Sequence, residues 1–282
     1  MRHLRSQLIN LLDQARQQHH METVPPRLLA ALVQDFQSLL PKGSSSKRVA
    51  MCSRTLTHGN LHRHIFTIRC PDQAFFLDAI KGYLLKCNIQ PIGQQTMVAK
   101  MECSDEFCQL ELHKPDMHDE DNFMFIALHI SATITPEMDL LRKDIKAILQ
   151  AVDLSVRDFM PMRKFAARTV ACLMTDDSDA AALLDWMNEK HFLFFGIIHN
   201  NKRLGLAKNS RVFERIAPGL AEQVSNLEPA RDIGLCWLSL SSSNRYLYSA
   251  ANVEVVRASW RVSSGEIEEM IIIGHFSPSP RY

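Results

Sequence analysis

Residues 63–87 read RHIFTIRCPDQAFFLDAIKGYLLKC, and a change of period inside this stretch decides the fold. The first eight residues alternate. Ile65, Thr67 and Arg69 fall on one face of a strand, and Phe66, Ile68 and Cys70 on the other. After Pro71-Asp72 the period lengthens to that of a helix. Phe75, Phe76, Ala79, Ile80, Tyr83, Leu84 and Cys87 form a wide apolar stripe, and Asn88 is a credible stop.

Downstream, residues 89–101 and 107–113 read as extended, and 123–134 as a strongly apolar strand. Thr135-Pro136-Glu137 then opens a helix with a cap, a first-turn proline and an acid together. Met138, Leu141, Ile145, Ile148, Leu149 and Val152 form its apolar face. Strand, helix, two or three strands, helix is the order of an α+β chain. It predicts an ACT/ferredoxin-like βαββαβ-type module over 62–155, with both helices on one face of the sheet. No closing strand follows Val152. Residues 156–173 read instead as a helix bent at Pro161, so the module is expected to be incomplete or to borrow a strand.

Upstream, residues 1–48 form a helical N-terminal segment and linker. Leu4, Leu8, Leu11, Leu12 and Ala15 keep helical spacing, as do Leu28, Leu29, Leu32, Val33, Phe36 and Leu39, with Pro26 at a helix start. Residues 156–190 read as a helical connector. Residues 191–282 read as a second β-rich α+β module, with strands expected at 192–199, 204–207, 211–216, 236–241, 253–262 and 267–276. Residues 218–226 read as a short helix, and Ser263-Ser264-Gly265 as a hairpin connection. An apolar strand so close to Tyr282 makes this module look truncated.

Thirty-two Lys and Arg against 31 Asp and Glu leave a net charge of +1 with no basic block, which argues against nucleic acid and anionic membrane as partners. The polar start lacks the apolar core of a signal peptide, and no run is long enough to span a bilayer. Seven cysteines without a C-x-x-C pair read as reduced thiols, so the expected location is the cytoplasm.

Catalytic motifs are missing. No glycine-rich phosphate loop or G-x-S-x-G elbow is present, and the glycine of Arg203-Leu204-Gly205-Leu206 reads as a strand or turn feature. His58, His62 and His64 read as a solvated strand entrance rather than a metal site, and the acidic run from His113 to Asp121 as a solvated loop. Cys108, Cys172 and Cys236 sit in apolar stretches and read as packing thiols. Asp176-Asp177 reads as a helix-start acid cluster, and Glu268-Glu269 as a solvent-facing strand edge. One position invites a ligand. At the turn from strand to helix, Pro71, Asp72, Gln73, Ala74 and Asp78 surround first-turn N–H groups that attract a carboxylate, unless Asp72 caps the helix itself.

With these segments in place, the chain resembles the N-terminal region of the large NAD-specific glutamate dehydrogenases of bacteria. Residues 180–196, AAALLDWMNEKHFLFFG, look like the family's FL-x-WL…HF-x-FLG stretch, and Arg203-Leu204-Gly205-Leu206 looks like the LG that follows it. Phe75-Phe76-Leu77-Asp78-Ala79-Ile80 is similar to MPFLVDSV at the start of the first ACT-like domain. Residues 153–162 resemble the helix leaving that domain, and residues 273–282 look like GLFTS-x-AY. The resemblance implies a regulatory and oligomerisation region. Glutamate, NAD and the catalytic residues would then belong to a domain outside this chain, which itself would hold no cofactor or metal. It also implies an amino-acid effector and a homo-oligomer as partners. The alternative is a stand-alone ACT-type amino-acid-sensing protein acting on a separate enzyme.

Overall fold

The computed structural model describes residues 6–10, 12–13, 25–41, 48–58, 61–73, 75–103, 108–112, 122–132, 137–240 and 253–276. The chain divides into two units, residues 1–149 and 150–282.

The first unit runs α1 (Pro26–Leu39), β1 (Ala50–His58), β2 (Leu61–Pro71), α2 (Phe76–Lys86), β3 (Gly93–Cys103), β4 (Cys108–Leu112), β5 (Asn122–Ser131) and α3 (Met138–Arg157). Its sheet has the order β1-β2-β5-β3-β4, and every pairing is antiparallel. The chain order is therefore ββαβββα, not the expected βαββαβ. Since β5 is antiparallel to both β2 and β3, β2–α2–β3 is a crossover between like-directed strands with β5 inserted between them. The position beside β2, where the expected plan would put its last strand, is taken by β1. This strand pairs with β2 from Ala50↔Arg69 to His58↔Leu61.

Both faces of this sheet are covered. Leu28, Leu32, Val33 and Phe36 of α1 pack on Ile65, Met97, Ala99, Phe125 and Ala127. The Phe36 and Phe125 rings meet edge-on at 5.4 Å. A polar latch sits in the same layer: buried Asp35 pairs with Arg54 of β1 and accepts a bond from Thr67 Oγ1 at 3.3 Å. By strand alternation Phe66, Ile68, Ile126, Leu128 and Ile130 turn to the opposite face. The fully buried Phe76, Ile80 and Leu84 of α2 and Ile145 and Ile148 of α3 supply the matching apolar surface. The Tyr83 hydroxyl ties these two helices together by donating to Asp144 Oδ2 at 2.7 Å.

The expected bend at Pro161 is a break at Asp158, which separates α3 from α4 (Phe159–Leu173). A proline ring collides with the carbonyl four residues back, here Arg157, and α3 ends there. The second unit continues with α5 (Ser178–Trp186), a π-turn (Met187–His191), β6 (Phe192–His199), β7 (Lys202–Gly205), α6 (Ser210–Ile216), α7 (Leu220–Ser225), β8 (Gly234–Trp237), β9 (Glu254–Arg261) and β10 (Ile267–Phe276). Its antiparallel sheet has the order β7-β6-β10-β9-β8. On one face Met162, Ala166 and Leu184 pack against Phe194, Ile197 and Ile272. On the other, the buried Val212, Phe213, Ile216, Leu220 and Val224 belong to α6 and α7.

Residues 211–216, expected as a strand, are helix α6. Asn209 Oδ1 accepts from the Val212 N–H at 3.1 Å and caps it. The Gly205 turn ahead of it requires glycine. With φ +59°, a Cβ there would lie 2.2 Å from the Phe195 carbonyl oxygen. The Gly205 N–H donates to Asp158 Oδ2 at 2.7 Å, and Lys208 Nζ meets the same oxygen at 2.6 Å. Among the described residues no helix is long and apolar enough to cross a membrane.

Candidate functional site

The turn from β2 to α2 holds most of the residues expected to bind an effector. Its backbone is spent locally: the Asp72 N–H donates to the Asn122 carbonyl at 3.0 Å, and the Gln73 N–H to that of Pro71 at 2.9 Å. Ala74 lies outside the described residues. Asp72 does not cap α2. Phe75 occupies the cap position in the left-handed region, with φ +87° and no side-chain cap. Asp78 stands in the first turn of the helix, and Gln73 Oε1 is buried without a hydrogen-bond partner. The turn thus brings Pro71, Asp72, Gln73 and Asp78 to one place.

Of the three histidines ahead of the helix, the side chains of His62 and His64 are described. His58 pairs with Leu61 in the register, its side chain is not among the described ones, and His62 and His64 share one face of β2. His64 Nδ1 is 2.8 Å from Thr55 Oγ1. The run from His113 to Asp121 lies outside the described residues. Asp177 caps α5 by accepting from the Ala180 N–H at 2.9 Å. Cys172 and Cys236 are exposed, not packed. The buried stripe of α4 is Met162, Ala166, Thr169 and Leu173, which leaves residue 172 outside, and β8 is an edge strand. The Cys108 side chain is not among the described ones.

His129 on β5 is wholly buried on the α1 face, with Nδ1 3.3 Å from Arg63 Nη1 and Nε2 without a partner. Burial first, and the neighbouring Arg63 charge second, push its pKa down to about 4. It is therefore a neutral imidazole at pH 7. The guanidinium can only donate, so Nδ1 accepts and Nε2 carries the proton.

The second unit contains a cavity of about 250 Å³ that sequence reasoning missed. Ile198 of β6 and Ile271 of β10 form its floor, and Val224 and Leu227 its wall. Asn200, Arg203, Ser225 and Glu269 supply the polar groups. Glu268 and Glu269, read from sequence as a solvent-facing edge, stand on the central strand and point to opposite faces. Glu268 faces His199, with 3.6 Å between Oε2 and Nε2. Glu269 turns into the cavity. Its Oε2 accepts from the Ala230 N–H at 3.0 Å and lies 3.3 Å from Arg257 Nε.

The wall is held to the sheet by these contacts. Arg257 Nη2 also donates to the Glu228 carbonyl at 2.8 Å, and Ser259 Oγ to that of Asp232 at 2.7 Å. Arg203 is different. Its guanidinium has no ion-pair or hydrogen-bond partner among the described residues. No protein-family model matches the chain, and no curated protein matches it. The signal that could have located the cavity was the turn Asn200-Asn201. It places Arg203 opposite Ile198, but only the pairing register shows Glu269 on the same face.

In chemical terms the cavity is equipped to bind, since it joins a cation, a carboxylate and an aliphatic surface. The carboxylate at its rim takes a backbone N–H and a guanidinium on Oε2, and among the described residues no thiol or imidazole lines the space.

Proposed function

We propose that this chain is a regulatory, effector-binding region of a large NAD-dependent glutamate dehydrogenase. Glutamate, ammonium and NAD are handled by a catalytic domain outside the chain, and the enzyme is a cytoplasmic homo-oligomer. The observation that carries the reading is the cavity of the second unit, with an unpartnered arginine over an aliphatic floor. A free guanidinium at the mouth of a small apolar cavity suits a carboxylate-bearing metabolite.

Two further observations support the kinship. Segments that carry the resemblance meet in space: Asp158 holds the Gly205 N–H, and Gly205 closes on the Phe195 carbonyl. The β2–α2–β3 crossover with β5 between its strands supports an ACT-like ancestry of the first unit. The turn at Pro71–Asp78 is retained as a secondary effector position, favoured by the buried, unpartnered Gln73 Oε1. A stand-alone amino-acid sensor would use the same cavity and differ only in acting on a separate enzyme.

The test uses the three tryptophans, Trp186, Trp237 and Trp260, all of which lie in the second unit. Melting followed by their emission reports the unit that holds the cavity. A carboxylate effector at a hundredfold excess over its Kd stabilises by about 2.7 kcal/mol, which raises the midpoint by several degrees. No rise with any of the twenty amino acids or simple dicarboxylates at millimolar concentration would remove the effector-binding reading.

A further inference from the structure

We infer that the cavity of the second unit takes a free aliphatic α-amino acid as its zwitterion. The carboxylate lies on Arg203, the ammonium on Glu269, and the side chain on the aliphatic floor. This rests on the effector-binding reading and narrows its ligand class.

Charge is the first argument. Arg203 on β7 is opposite Ile198 on β6, and Ile198 is opposite Ile271 on β10. Directly opposed residues share a face, so these three make one row across the sheet. Glu269, two residues along β10, keeps that face. Arg203 and Glu269 thus stand two strand spacings apart across the sheet and two residues apart along it, roughly 12 Å at the backbone, and both line the cavity. Glu269 uses Oε2 for both its contacts, which leaves Oε1 as an acceptor. Among the described residues Arg203 is the uncompensated charge of the cavity, whereas Glu269 is balanced by Arg257 and keeps only Oε1 open to a donor. A ligand whose carboxylate lies on Arg203 and whose ammonium donates to Glu269 Oε1 uses both groups.

Size and lining choose the rest. At about 250 Å³ the cavity is small beside the pockets that take drug-sized ligands. A leucine-sized molecule with a water or two fills it. The apolar contacts are all branched aliphatics: Ile198, Ile271, Val224 and Leu227. No aromatic ring lines the space to stack on a ring-bearing ligand. The residues around Leu227 are held by the Glu269, Arg257 and Ser259 bonds, so this wall is formed before a ligand arrives.

The experiment is calorimetric titration of the 282-residue chain with three probes: L-leucine, 4-methylpentanoate, which lacks the ammonium, and 3-methylbutylamine, which lacks the carboxylate. Leucine is expected to bind, with each single-charge probe at least tenfold weaker. Arg203→Glu is expected to weaken leucine at least tenfold while leaving the ligand-free melting midpoint unchanged, because the guanidinium has no partner to lose. Glu269→Gln keeps an acceptor for the Ala230 N–H and should weaken leucine while sparing 4-methylpentanoate.

If 4-methylpentanoate binds as tightly as leucine, the zwitterion inference falls and the effector-binding reading stands. Equal leucine binding by wild type and Arg203→Glu also overturns it. If no probe binds and no other carboxylate raises the melting midpoint, both readings fall together.

Discussion

Replacing Gly205 by alanine tests how the second unit is held together. Gly205 has φ +59° and ψ −138°, a region that L residues rarely enter. Occupying it costs about 1–3 kcal/mol. The new Cβ would also lie 2.2 Å from the Phe195 carbonyl oxygen and 3.0 Å from Met162 Sδ. A flexible thioether can move aside. The carbonyl cannot, since β6 is paired on both sides, by β7 and β10. Relieving the clash shifts the turn away from Asp158 and weakens the Gly205 N–H bond, which ends on a carboxylate and is worth about 1.5–3 kcal/mol. The effects overlap, and a loss of roughly 3–5 kcal/mol is expected.

Urea unfolding followed by tryptophan emission measures it, as a lower midpoint with an unchanged slope. Gly265→Ala is the control. That residue also has positive φ, +86°, but nothing lies within 4 Å of its Cβ position. A Gly205→Ala loss below about 1 kcal/mol, or one equal to the Gly265→Ala loss, would refute the argument from close approach.

Two other predictions follow from the first unit. His129 has a folded pKa of about 4 against an ordinary value of 6.5, so between these the unfolded chain binds more protons. Stability is complete above pH 6.5 and falls as the pH drops toward 4, by at most on the order of 3 kcal/mol. Urea unfolding by far-ultraviolet circular dichroism should show a shallower pH dependence in His129→Leu. An unchanged slope would contradict the burial of a neutral imidazole. Among the cysteines with described side chains, Cys87, Cys172 and Cys236 are exposed, whereas Cys70 is buried. Burial, and then the Asp35 charge, raise the Cys52 pKa to about 11. Mass-spectrometric mapping after a brief thiol label at pH 8 should find the first three modified and Cys52 and Cys70 protected until urea is added.

Where apolar periodicity was strong, the chain was legible. Strand β10 occupies the expected 267–276, and β6 the expected 192–199. The helix expected after Thr135-Pro136-Glu137 runs from Met138 through Arg157. Strand β1 escaped because its face toward α1 takes Cys52, Arg54 and Leu56 rather than an apolar row. Gly59-Asn60 is a two-residue hairpin pair that could have revealed it. Helix α6 escaped because six residues are too few for period to separate helix from strand. The Asn209 cap was the better signal. The cavity was open to a sequence reading only on its Arg203 side, through the turn Asn200-Asn201. Its two charges come from strands separated by more than sixty residues, and only sheet register sets them on one face.

Nuclear magnetic resonance titration of the ¹⁵N-labelled chain with L-leucine tests the central claim most directly, because it shows where an effector sits. The account predicts saturable amide shifts at Asn200, Arg203, Ser225, Leu227 and Glu269, and their loss in Arg203→Glu. Shifts confined to the turn at Pro71–Asp78, or no shifts anywhere, would contradict it.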